Sequence, residues 1–307
     1  MRKIIIDADG GTDDFLALLW LLKAEEWGEV KIEGIICTMG NTTLQHVERN
    51  TVRLLETAKR TDIPIYRGTK YQLILPNGSP RRSHGSDGFG DLEWDKEPDT
   101  SIISDVPASV AIRNIVDKHP NEISIICVGP LTNLALAIKL YDDIIPKIKD
   151  VWIMGGNYTG RGNVTQSAEH NFYVDPEAAS IVLECIESPI YILPWETCLE
   201  SRISTEWRHQ QLGDSTPELE MVSKAEKALP RFKNPMWVSC DTFLIYCFLN
   251  PEKHITKKTP HHARVELHGN FTRGQVVLDH LRKNDHNVEI IEEFDTELFK
   301  KSLLKLK

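Results

Sequence analysis

Ile4-Ile5-Ile6-Asp7-Ala8-Asp9-Gly10-Gly11-Thr12-Asp13-Asp14-Phe15 reads as a strand, a turn and the first turn of a helix. Three β-branched residues in a row, bounded by a glycine pair, suit a strand buried on both faces. Beyond the glycines, Phe15, Leu18, Leu19 and Leu22 recur at helical spacing, which predicts a helix over 13–24. Four aspartates crowd the junction. Strand side chains repeat every two residues, so Asp7 and Asp9 are expected on one face of the strand end. Gly10 and Gly11 permit a tight turn, and Asp13 and Asp14 fall in the first helical turn, where the helix dipole favours negative charge. Carboxylates so close raise one another's pKa, and a bound cation removes the repulsion. An all-oxygen donor set selects a hard ion, calcium or magnesium, over zinc. The blander reading, that Asp13 and Asp14 cap the helix while the other pair is solvated, explains one aspartate better than four.

The same alternation continues outward. Strands are expected at 31–37, 122–128, 150–154 and 190–193, with an extended piece opening at Pro64. Helices are expected at 43–60, 107–118 and 131–140, then at 205–212 and 217–227. An apolar segment covers 242–249, late strands are expected at 276–278 and 288–291, and 295–307 reads as a docking helix with Phe299, Leu303 and Leu306 on one face. This pattern predicts an α/β, Rossmann-like fold: a mainly parallel central sheet with helices on both faces. Ligands in such sheets bind at the carboxyl ends of the strands, where Asp7-Ala8-Asp9, Thr38–Asn41, Val128-Gly129 and Met154-Gly155-Gly156 fall. No linker or repeat interrupts the pattern, so residues 1–307 are expected to form one domain. The segment 76–91, rich in Gly, Ser, Arg and Asp, is the candidate mobile loop.

Composition narrows the function. The chain has 307 residues, is 41% hydrophobic and carries a formal net charge of −9. An acidic surface argues against nucleic acid or membrane as partner, and no apolar run nears the roughly 20 residues of a membrane helix. The six cysteines are scattered with no CxxC pair, which suits free thiols in a reducing compartment. With Met1-Arg2-Lys3 running straight into the aspartate stretch, no leader is read and a cytoplasmic location is expected.

Two families share an Asp-rich opening. The start of this chain resembles the DxDG(T/V) segment of haloacid-dehalogenase-type phosphatases, and Gly90-Asp91-Leu92-Glu93-Trp94-Asp95 mimics their later GDxxxD element, but in a loop-like stretch too early in the chain. The other resemblance reaches much further. Asp7–Asp14 resembles the DxDPGxDD opening of the nucleoside hydrolases. Gly40-Asn41, His84-Gly85-Ser86-Asp87-Gly88, Val128-Gly129-Pro130-Leu131-Thr132-Asn133, Met154-Gly155-Gly156, Gly162-Asn163, Ala168-Glu169-His170-Asn171, Asp175-Pro176-Glu177 and Thr272-Arg273-Gly274 follow in that family's order. The resemblance implies hydrolysis of the bond between base and ribose. It implies calcium held by Asp9, Asp14, the Val128 carbonyl and Asp241, with Asp9 as base toward the attacking water. It places Asp13, Asn41, Asn163, Glu169 and Asn171 on the ribose hydroxyls with Met154 beside them, Asp7 as a supporting carboxylate, and a homodimer or homotetramer as the assembly.

The residue chemistry suits that implication. Breaking an N-glycosidic bond builds positive charge on the sugar, which carboxylates stabilise, and amides and carboxylates recognise hydroxyls. The chain departs from the family at Gly10, where proline is usual, and at Cys240, where many members have a histidine proposed as acid for the leaving base; a branch with cysteine exists. A thiol is the weaker acid at neutral pH, so Cys240 reads equally as catalytic and as a small buried side chain. The loss of the histidine also opens a non-enzymatic alternative, a nucleoside- or ribose-binding protein with impaired turnover. Trp195 and Trp237 are candidates to stack on a purine, against an alternative as core. His84 is a candidate to close over the base, against a solvated loop histidine.

Overall fold

The computed structural model describes residues 1–74 and 83–307. The candidate mobile segment 76–91 therefore lies outside the described residues over 76–82. Among the described residues, twelve strands occur: β1 (Arg2–Ala8), β2 (Val30–Cys37), β3 (Ile65–Arg67), β4 (Ile123–Cys127), β5 (Asp150–Met154), β6 (Ile190–Leu193), β7 (Ile203–Ser204), β8 (Met236–Trp237), β9 (Ile255–His261), β10 (Ala263–Val265), β11 (Val276–Leu278) and β12 (Val288–Phe294). Eight of them form one sheet in the order β3-β2-β1-β4-β5-β6-β12-β9. All neighbours pair in parallel except β12 with β9. The predicted mainly parallel sheet with helices on both faces is what the structure shows.

The apolar run of β1 explains its central position. Ile4, Ile6 and Ala8 face one core, shared with the helices Thr12–Glu26, Leu44–Thr57 and Cys240–Leu249. Ile5 faces the other, shared with Ala108–Lys118, Thr132–Leu140 and Pro176–Cys185. Along Ile4–Ile6 the strand alternates between two apolar environments and has no polar position to spare. The Thr12–Glu26 helix is likewise buried along nearly its whole length, because the sheet and the helices Cys240–Leu249, Pro217–Ala228 and Leu44–Thr57 all pack against it. Packing against Cys240–Leu249 brings the start of one helix to the start of the other, and with them Asp13, Asp14 and Asp241. The apolar segment at 242–249 is thus a core helix, and no helix among the described residues is long and apolar enough to cross a membrane.

At element level one expectation is corrected, one expected strand is borne out but lies outside the main sheet, and one strand was not expected. The expected helix at 205–212 is a single turn, Thr205–Trp207, that widens into a π-helical turn over Arg208–Leu212. The strand at 276–278 forms a small antiparallel ladder with β10 outside the main sheet. Strand β9 carries Lys257, Lys258 and Pro260 on the sheet's edge; charge and proline there block further pairing, and they also hide the strand from a periodicity reading.

Candidate active site

The carboxyl ends of β1, β4 and β5 open into a cavity of about 570 Å³. Asp13, Asn41, His84, Val128, Met154, Asn163, Glu169, Asn171, Trp195, Trp237, Cys240 and Asp241 all line it. Residues expected at the site from eight separate stretches of chain therefore meet in one place. Asp9 and Asp14, both fully buried, stand behind the wall.

The turn after β1 is built on close approaches. Gly10 has φ +79°, a conformation closed to proline, so proline in its place demands a different turn. Gly40 is needed beside it, because a Cβ there would lie 2.0 Å from Asp9 Oδ2. Asp14 caps its own helix from within: its Oδ1 accepts from the Asp9 backbone N–H at 2.9 Å and its Oδ2 from that of Gly11 at 2.8 Å. Asn41 grips Asp9 twice, backbone N–H to Oδ2 at 2.7 Å and Nδ2 to Oδ1 at 2.8 Å. Asp7 does not share its partners. Both its oxygens accept from Asn133 Nδ2 at 3.2 Å, and it does not line the cavity.

Among the described residues, the carboxylates whose oxygens converge are Asp13, Asp14 and Asp241, with ligand atoms within 4.8 Å of one another. The expected metal set differs from this group in one carboxylate: Asp13, assigned to the ribose, stands with Asp14 and Asp241, while Asp9 is hydrogen-bonded by Asn41 and lies against Asp14. Burial pushes all four carboxyls up. Asp9 and Asp241 lie well above the usual carboxylate range, first through loss of water and then through neighbouring aspartates. Asp14 rises to about 7 for the same reasons, the charge of Asp13 foremost among its neighbours. Asp13 also rises through burial, opposed by the charge of Arg231, and its buried Oδ1 has no hydrogen-bond partner among the described residues. Converging oxygen donors, mutual repulsion and an unsatisfied oxygen are what a hard divalent cation resolves, so these residues fit one. The Val128 carbonyl lies in the same wall, oriented by Asn171 Nδ2 at 3.0 Å.

The remaining expected residues divide by environment. Asn171 also donates to the Met154 carbonyl at 3.0 Å. Glu169 accepts from the backbone N–H groups of Gly156 at 2.8 Å and Asn171 at 2.9 Å, so it caps the turn that carries Asn171. Asn163 leaves its buried Oδ1 without a hydrogen-bond partner among the described residues. His84 is not a solvated loop histidine: it is 7% exposed, and its Nδ1 accepts from the Thr12 N–H at 2.9 Å. Cys240 touches the Cys198 thiol, and that hydrogen bond followed by burial holds its own thiol well above the usual range. Such a thiol is better suited to form a wall than to donate a proton.

Sequence reasoning missed the outer half of the cavity, where Leu199, His209, Glu226, Arg231 and Phe232 join Trp195 and Trp237. Arg231 reaches Thr12 Oγ1 and His84 Nδ1. Trp237 is pinned by its Nε1–H donating to Glu226 Oε1 at 2.8 Å, and Glu226 is paired with the fully buried Arg208 at 2.8 Å. No motif or spacing marks these residues; a fully buried arginine shows only once the chain is folded.

Comparison with known proteins agrees with this geometry. The family model described as inosine-uridine preferring nucleoside hydrolase matches residues 4–301. A probable uridine nucleosidase 2 of Oryza sativa subsp. japonica is 38% identical over 186 residues, 59% of this chain and 53% of that protein; the match thus spans about half the length of that relative. An inosine-uridine preferring nucleoside hydrolase of Crithidia fasciculata is 29% identical over 294 residues, 91% of this chain and 88% of that one. A solved inosine-guanosine nucleoside hydrolase superposes with a TM-score of 0.92 at 27% identity, covering 100% of this chain and 98% of that one.

Proposed function

The chain belongs to the inosine-uridine preferring nucleoside hydrolase family, and from that premise we propose that it hydrolyses the N-glycosidic bond of ribonucleosides, purine nucleosides foremost, to free base and ribose with the help of calcium. The observation that carries this reading is the pairing of two chemistries in one cavity. A buried trio of carboxylates, Asp13, Asp14 and Asp241, lies at one end, and amide and carboxylate groups suited to sugar hydroxyls, Asn163, Glu169 and Asn171, stand beside it.

Asp14, Asp241, Asp13 and the Val128 carbonyl would hold the ion, with Asp9 behind them. Calcium is favoured over magnesium because it accepts carbonyl and carboxylate oxygens in irregular geometry. When bound it supplies positive charge to nearby oxygens and makes water more acidic. The chain's own residues do the rest. Asp9 takes the proton of the attacking water: its affinity for protons is raised by burial and by Asp14, and Asn41 fixes its orientation. Asn163, Glu169 and Asn171 orient the ribose, and the surrounding carboxylates stabilise the positive charge that develops on it. Trp195 and Trp237 offer aromatic surface to the base, which supports the purine preference. A homodimer or homotetramer and a cytoplasmic location belong to the same proposal.

A phosphatase reading loses its support in the geometry. Asp7, its would-be nucleophile, is turned to Asn133, and Asp91 is spent on a turn with Ser86 and Asp87. The binding-protein alternative has one observation in its favour, the high pKa of the Cys240 thiol. Reducing-sugar release from inosine, adenosine, guanosine, uridine and cytidine, with calcium and after chelation, separates the two. Release that depends on calcium and ranks purines first supports the proposal; ribose binding without release favours the binding protein.

A further inference from the structure

Glu196 is 3% exposed and opens the helix Trp195–Glu200, yet its carboxylate serves a different segment. Oε1 accepts from the backbone N–H of Thr159 at 2.8 Å, from Thr159 Oγ1 at 2.7 Å, and from the N–H groups of Tyr158 and Arg161 at 3.2 and 3.3 Å. Oε2 accepts from the Tyr158 N–H at 3.1 Å. Among the described residues, no ion pair accounts for this carboxylate; its partners are loop amides and one hydroxyl. Hydrogen bonds to a charged acceptor are the strong ones, so Glu196 is the anchor of residues 158–161. The neighbouring Trp195 N–H donates back to the Gly156 carbonyl at 3.0 Å, which stitches helix and loop in both directions. Beyond the anchor the loop closes on itself, Gly162 N–H to Gln166 O at 3.2 Å and Asn163 N–H to Ala168 O at 3.1 Å. Asn163 is thereby presented to the cavity with its Oδ1 unsatisfied among the described residues.

We propose that Glu196 is a positioning residue for sugar recognition: its carboxylate fixes the 158–161 segment so that Asn163 offers its amide to one ribose hydroxyl. The inference rests on the nucleoside-hydrolase reading above. Glu196 touches neither the sugar nor the ion trio, so its removal loosens recognition of one hydroxyl and leaves calcium binding intact.

The test measures kcat/KM for inosine and for its 2′-, 3′- and 5′-deoxy forms in the parent, Asn163→Ala, Glu196→Gln and the double variant. Calcium affinity, titrated with the ion alone, reports whether the rest of the site stands. Glu196→Gln keeps the shape but sets an amino group against the Tyr158 N–H. Asn163→Ala is expected to lower kcat/KM for inosine roughly tenfold and to erase the preference for one hydroxyl. Glu196→Gln is expected to erase the preference for that same hydroxyl, the double variant to be no worse than Asn163→Ala, and calcium affinity to stay at the parent value. Should Glu196→Gln fail to fold, Thr159→Val removes a single anchoring hydrogen bond and is expected to weaken the same preference in part. A Glu196→Gln or Thr159→Val protein that keeps the parent's hydroxyl preference, or slows all four substrates equally, overturns the inference. If Asn163→Ala shows no hydroxyl-specific loss in an active enzyme, the ribose role of Asn163 fails and the inference falls with it. If the parent cleaves no nucleoside, it is the functional reading that fails.

Discussion

A thiol hydrogen-bonded to another thiol and shut away from water gives up its proton reluctantly, and Cys240 beside Cys198 is so placed. Replacing it with alanine is therefore expected to leave kcat on inosine within about fivefold of the parent. A fall of about 100-fold or more, the size of a lost general acid, would give Cys240 the proton-donating role instead. Asp9 should behave differently. Asp9→Asn is expected to lower kcat by roughly 10²–10⁴-fold, the usual worth of a positioned base, and to remove the acidic limb of the pH–rate profile; a variant retaining both contradicts the assignment. These side chains were visible in sequence because the aspartates crowd within eight residues and the rest follow family order. Their partners were not: the grip of Asn41 on Asp9 and of Asn133 on Asp7 depends on which strand end meets which loop.

The unit that builds the ion site is the strand–turn–helix from β1 into Thr12–Glu26. Its geometry depends on glycines outside it as well as within, and Gly40 is the sharpest case. Gly40→Ala puts a Cβ into Asp9 Oδ2, and overpacking of this kind costs about 1–3 kcal/mol. A matching loss of stability in denaturant titration is expected, together with weaker calcium binding as the Asp9 carboxylate beside the ion site is displaced; unchanged calcium affinity contradicts the close approach. This element was legible because its apolar period switches from continuous to helical across two glycines. Strand β9 and the π-helical turn at Arg208–Leu212 were not. The first is polar at an edge, and the second is held by Arg208 inside a buried ion pair with Glu226 that no local pattern announces.

For the molecule as a whole, the carboxylate cluster links stability to pH and to metal. Asp14 titrates near 7 in the folded chain against an ordinary value of 3.8. A raised folded pKa means that the folded chain binds the proton more tightly than the unfolded one, so its contribution is full below about pH 4 and is lost as pH rises through 7. The chelated protein should therefore lose thermal stability between about pH 4 and 7. Calcium needs the deprotonated carboxylates, so the Tm difference between loaded and chelated protein should widen over the same range. Parallel curves contradict the coupling. At this scale the residues that line the inner half of the cavity were readable from residue order, although Asp13 was assigned to the ribose and stands instead with Asp14 and Asp241. The outer half, Arg231, Glu226, Phe232 and His209, is assembled by packing between distant segments and was not.

The most direct test of the central claim is ribose released per base released from inosine by the chelated protein as calcium is added back, beside an Asp241→Asn variant. The proposal predicts equal amounts of ribose and hypoxanthine that appear only with calcium, and an Asp241→Asn protein that needs at least about 100-fold more of the ion, since even outer partners of a metal site are worth 10–100-fold. Hypoxanthine release that is indifferent to chelation and to Asp241, or no release at all from a protein that binds calcium and ribose, would contradict it.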